Sequence, residues 1–91
     1  LPFDAQNCPP EVEVTVRVQQ ADGVRRRVVH LLNYGYKTPV RGVIVSLPAN
    51  GEVKAFHPTD GQALECRRAD GAVALRVRDF DVYEAIVVEE R

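Results

Sequence analysis

Four pairs of an acidic or amide residue with glycine punctuate this chain: Asp22-Gly23, Asn50-Gly51, Asp60-Gly61 and Asp70-Gly71. Each can supply the positive φ that tight hairpin turns require. The last three recur every ten residues, with short valine-rich runs between them. That is the rhythm of short strands joined by tight turns, with no credible helix. It predicts an all-β fold, a small antiparallel immunoglobulin-like β-sandwich.

Seven strands follow from the pattern. The run EVEVTVRVQQ at 11–20 places Val12, Val14, Val16 and Val18 on one face and Glu11, Glu13, Thr15 and Arg17 on the other, the period of a strand with one wet face. Further strands are expected at about 24–33, 41–47, 52–57, 62–68, 72–78 and 82–89. Pro9-Pro10 disfavours helix, so residues 1–10 read as a linker leading into a single domain at 11–91. The chain starts Leu-Pro-Phe and contains no methionine, which suggests the C-terminal piece of a larger protein.

Three strands are apolar on both faces: Val28-Val29-His30-Leu31-Leu32, Val43-Ile44-Val45 and Ala85-Ile86-Val87-Val88. An antiparallel sheet normally leaves one face in water, so such strands call for a second cover. The expectation is that they lie together and present a docking face, represented by Val29, Leu31, Ile44, Ile86 and Val88. A neighbouring domain in the parent chain would cover it, or self-association would. The alternative is that they are central strands wrapped by loops.

The net charge of −1 gives no broad attraction for nucleic acid or an anionic membrane, and no apolar run is long enough to span a bilayer. The arginines at 25–27, 67–68, 76 and 78 read as solvated ion pairs with acids such as Glu65, Asp70, Asp79 and Glu84. Cys8 and Cys66, 58 positions apart, fit either one long-range disulfide or two unrelated thiols. His30, within an apolar strand, reads as a hydrogen-bonded core or interface residue. His57, before Pro58, reads as a turn-edge residue. No spacing of His, Cys and carboxylate suggests a metal site, and no catalytic residues or cofactor are expected. One binding constellation remains. Tyr34 and Tyr36 on the longest loop, with Phe56, could stack on sugar rings. The competing reading has one tyrosine plugging the end of the sandwich and the other shielding a domain contact.

The segment Val29-His30-Leu31-Leu32-Asn33-Tyr34 resembles a strand of small C-terminal β-sandwich accessory domains in multidomain bacterial glycoside hydrolases, β-galactosidase-like and α-fucosidase-like enzymes among them. Similar stretches follow at Pro39–Pro48, at Val53-Lys54-Ala55-Phe56, at Asp60-Gly61-Gln62-Ala63-Leu64 and at Tyr83–Val88, so the likeness spans about residues 28–91. The resemblance implies a domain without catalytic residues that braces a neighbouring catalytic barrel. It gives Asn33 a structural role at a strand end, where its side chain can bond nearby backbone. A carbohydrate-binding module and an adhesion-type module are the alternatives.

Overall fold

The computed structural model describes residues 4–35, 38–69 and 71–91. They form two four-stranded antiparallel sheets packed face to face. In chain order the strands are β1 (Asp4–Gln6), β2 (Val12–Ala21), β3 (Val24–Asn33), β4 (Ile44–Pro48), β5 (Val53–Phe56), β6 (Cys66–Ala69), β7 (Ala72–Arg76) and β8 (Tyr83–Glu90). One sheet has the order β1-β4-β7-β6 and the other β2-β3-β8-β5. No helix among the described residues is long and apolar enough to cross a membrane.

The all-β sandwich is as expected, with eight strands rather than seven. The additional strand falls inside the segment read as a linker. Asp4, Ala5 and Gln6 pair with Ser46, Val45 and Ile44. The chain then bends at Asn7, whose φ is 58° and whose side-chain amide donates to the Gly42 carbonyl. A three-residue strand ahead of two prolines has no periodicity of its own to betray it. The strand expected at 62–68 begins only at Cys66, because Ala63 is drawn into an isolated bridge with Phe56.

The turns are less uniform than the sequence suggests. Asp22 and Gly23 both have positive φ, the requirement of a two-residue hairpin that matches strand twist. Gly61 and Gly71 are also left-handed, while Asp70 lies outside the described residues. Asn50-Gly51 is different and is not a left-handed turn. Its glycine is required by proximity, since a Cβ there would sit 1.7 Å from the Arg91 carbonyl oxygen.

Alternation decides which residues meet between the sheets. Val29 and Leu31 of β3 and Ile86 and Val88 of β8 point inward. They pack against Val45 and Leu47 of β4 and against Val73, Leu75 and Val77 on and just beyond β7. Polar residues bracket this core at the same parity. The inward series of β3 is Arg27-Val29-Leu31-Asn33, and that of β8 is Glu84-Ile86-Val88-Glu90. Arg27, Asn33 and Glu84 are all buried, and Glu90 is partly so.

Candidate functional site

At one end of the sandwich, Asn33 closes the loop that follows β3. Its side-chain amide donates to the carbonyls of Thr38 (3.0 Å) and Asp81 (2.8 Å), and its carbonyl accepts from the Gly35 N–H (3.0 Å). Gly35 is held against the Glu11 side chain, leaving no room for a Cβ. The strand-end role expected of Asn33 is therefore present in full. It fixes where the tyrosine loop leaves the sheet.

That loop does not assemble a three-ring platform. Tyr34 is 60% exposed. Tyr36 lies outside the described residues. Phe56 is half-buried on β5 and sits opposite Val87, which is opposite Val28. Six residues of β3 separate Val28 from Tyr34, so the two rings stand about 20 Å apart along the strand direction. Tyr34 and Phe56 cannot stack on one sugar ring.

The docking residues also need correction. Val29, Leu31, Ile86 and Val88 are each 0% exposed, in the core between the sheets. Ile44 is half-buried on the outer face of the opposite sheet, so the five do not share a surface. The three strands that read as apolar on both faces are not all neighbours. β3 pairs with β8, and β4 belongs to the other sheet. The outward residues of β3 and β8 have the other parity: Val28, His30, Leu32, Tyr83, Ala85 and Val87. There His30 Nδ1 and the Tyr83 hydroxyl are 2.5 Å apart and the rings are tilted together, with Tyr83 half exposed. Periodicity alone could have made this assignment, because Val12–Val18 fixes the inward parity of β2 and hence of its hairpin partner.

A polar network that the sequence reading missed lies beside the β5–β6 connection. His57 flanks the turn after β5 as expected, its carbonyl accepting from the Gly61 N–H, and its side chain is buried. Its Nδ1 lies 3.3 Å from the Ala85 carbonyl and 3.4 Å from Glu84 Oε1. Both neighbours accept hydrogen bonds, which places the proton on Nδ1. Glu84 Oε2 accepts from Arg78 Nε (2.7 Å), and Arg78 also reaches Asp60, Gln62 and Thr59. Burial pushes the Glu84 carboxyl up, but the Arg78 hydrogen bond and the Ala85 N–H outweigh it and hold the carboxyl below its ordinary range. The hydrogen bond from Arg78 also holds Asp60 low. A cleft of about 350 Å³ opens beside the network, between His57, Gln62, Leu64, Arg76, Arg78 and Asp79. His57 and Glu84 have the geometry of an oriented base, yet among the described residues no hydroxyl or thiol nucleophile stands in the hydrogen bonds of His57. The network ties the 58–62 turn to β8.

A second polar network closes the opposite end. Arg27, only 2% exposed, spans the sheets from β3 to the Pro48 carbonyl of β4 (2.5 Å) and to Glu90 (3.3 Å), while its Nε has no partner. Glu90 Oε2 accepts from the N–H groups of Asn50 (2.7 Å) and Gly51 (3.0 Å). Those two donors hold the Glu90 carboxyl below its ordinary range. Arg68 donates to the carbonyls of Gly51 and Ala49. Of the arginine partners expected from sequence, Glu65 and Glu84 are found, and Asp60, Glu89 and Glu90 join them. Cys8 and Cys66 are free thiols packed against the core, and burial pushes both up. Among the described residues, no group of three or more His, Cys, Asp and Glu could hold a metal ion.

No family model and no curated protein matches this sequence. Among solved structures, the chain is similar to alpha-L-fucosidase isoenzyme 2 from Paenibacillus thiaminolyticus, with a TM-score of 0.77 at 19% identity. The match covers 99% of this chain and 15% of that one. At this identity the likeness establishes a shared fold, and it reaches a small portion of a glycoside hydrolase.

Proposed function

We propose that this chain is a non-catalytic accessory domain of a glycoside hydrolase, a β-sandwich that braces a neighbouring catalytic domain. The observation that carries the reading is the match of almost the whole chain to 15% of a fucosidase, which leaves most of that enzyme to its other parts. The character of the polar residues supports it. Asn33, Arg27, Glu84 and Glu90 spend their hydrogen bonds on backbone and on partners inside the fold. The contact with the catalytic domain falls on the outward face of β3 and β8, where the half-buried Val28 and Leu32 lie beside the Tyr83–His30 pair.

The test is the full reading frame that encodes these residues, expressed whole and with this domain deleted, and assayed on aryl α-L-fucosides and β-galactosides. The reading expects a hydrolase domain in the same frame, no turnover by the 91-residue chain, and a less heat-stable enzyme after deletion. A frame without a hydrolase domain, or turnover by the 91 residues alone, refutes it. Saturable sugar binding by the isolated chain, abolished by Tyr34→Ala, would replace the brace with a carbohydrate-binding role.

A further inference from the structure

The sheet edge at β2 is built differently from the other three. β1, β5 and β6 are edge strands of three or four residues, and the Phe56–Ala63 bridge covers part of the β5 edge. β2 runs for ten residues with no proline and no lysine, and it pairs only with β3 among the described residues. Short strands, lysine and proline are the usual guards of an edge. Cover from the opposite sheet also fails along β2. Val12 is buried, Val14 and Val16 are half-buried, and Val18 is 55% exposed.

The hydrogen-bonding direction of each residue can be assigned. The Glu11 carbonyl accepts from the Tyr34 N–H, so odd-numbered residues of this segment turn their backbone groups toward β3. Even-numbered residues turn theirs outward. Val12 spends its N–H on the Pro9 carbonyl, and Val14, Val16 and Val18 present free donors and acceptors along the edge.

We propose that two copies of this chain associate through β2, antiparallel about a two-fold axis at Thr15, to form one continuous eight-stranded sheet. The sequence of the strand is self-complementary about that residue. Val14 faces Val16 of the second copy, and Val12 faces Val18. Glu13 faces Arg17 twice, once on each side of the axis. Neither Glu13 nor Arg17 makes an ion pair among the described residues, and both lie on the wet face. Other registers lose the match. An axis at Val14 leaves Arg17 opposite Glu11, before the strand begins. An axis at Val16 sets Glu13 opposite Gln19, and one at Arg17 sets two arginines face to face. In the Thr15 register the edge valines exchange their free N–H and C=O groups, and the partly covered side chains of Val14, Val16 and Val18 gain a neighbour. The association is independent of what the domain is attached to.

Sedimentation equilibrium of the 91-residue chain, loaded from about 10 µM to about 1 mM, tests this. The wild type should show a concentration-dependent dimer. Glu13→Arg or Arg17→Glu sets like charges opposite each other at two places, and each should weaken the dimer at least about tenfold. An equimolar mixture of the two single variants restores both charge pairs and should regain dimerisation as a heterodimer. The amides of Val14 and Val16 should exchange slowly with solvent only at concentrations where the dimer forms. A monomer throughout the range, a dimer indifferent to both variants, or a mixture no stronger than its components would each overturn the proposal.

Discussion

Replacing Asn33 with alanine removes a buried side chain that holds three separate backbone groups. Two carbonyls, at Thr38 and Asp81, lose a donor, and the Gly35 N–H loses its acceptor. Each such bond contributes about 1 kcal/mol net. Thr38 and Asp81 are exposed residues, so water can reach part of what is released and the sum falls to about 2 kcal/mol. For 91 residues the unfolding entropy near the midpoint is about 0.19 kcal/mol/K, which turns that loss into a fall in Tm of about 10 °C. Asn33→Asp is the sharper variant. It keeps an acceptor for Gly35 but turns a carboxylate oxygen toward two carbonyls, so at neutral pH it should be less stable than the alanine variant and should recover in acid as the carboxyl takes up a proton. Thermal unfolding followed by circular dichroism at two pH values reads both effects. An alanine variant within about 0.5 kcal/mol of wild type would show that the loop is held by its backbone alone, and the reasoning would fail.

The remaining predictions concern the polar networks and the thiols. Glu84 and Glu90 both titrate below their ordinary value in the folded chain, so their stabilising effect is complete above the unfolded value near 4.5 and is lost as pH falls through the lower folded values. Stability should therefore decline on acidification below about pH 5, and Glu84→Gln should flatten that decline in urea titrations run at several pH values. Arg27→Ala should cost about 3 kcal/mol, because it strands the Pro48 carbonyl and opens a cavity. Arg27→Met, which keeps the apolar stem, should cost less than half as much, and equal costs in urea melts would show that packing by the stem contributes nothing. Both cysteines should react slowly with a disulfide reagent in the native chain and give two equivalents of thiol in denaturant, with no reductant needed.

Valine periodicity made the architecture legible, and the glycine pairs placed the breaks between strands. What escaped was of three kinds. β1 is too short to carry a period, and its pairing depends on the position of β4, forty residues later in the chain. Asn50-Gly51 has the composition of a left-handed turn. Its glycine is set instead by the return of the chain terminus, a contact between residues 51 and 91 that no local window contains. The docking residues failed on parity. An all-apolar run such as Val28–Leu32 has no internal marker of which alternate residues face inward, and only its partner strand provides one. Once Val12–Val18 is aligned with β3, the inward set becomes Arg27, Val29, Leu31 and Asn33.

That inward set bears on what the domain can do. A sandwich of this size has two open ends where the sheets' inner faces would meet water. This chain closes one with Asn33 and the Glu84–His57–Arg78 network and the other with Arg27, Glu90 and Arg68. In many β-sandwiches the end loops carry the binding surface. Here the arginine, histidine and carboxylate side chains at the two ends are engaged in holding them shut. Freeing Arg78 for an anion would leave the Glu84 carboxylate beside His57 without its guanidinium partner. Among the described residues, Val28, Leu32 and Tyr83 on the outward face of β3 and β8 and the backbone edge of β2 stay accessible to another protein.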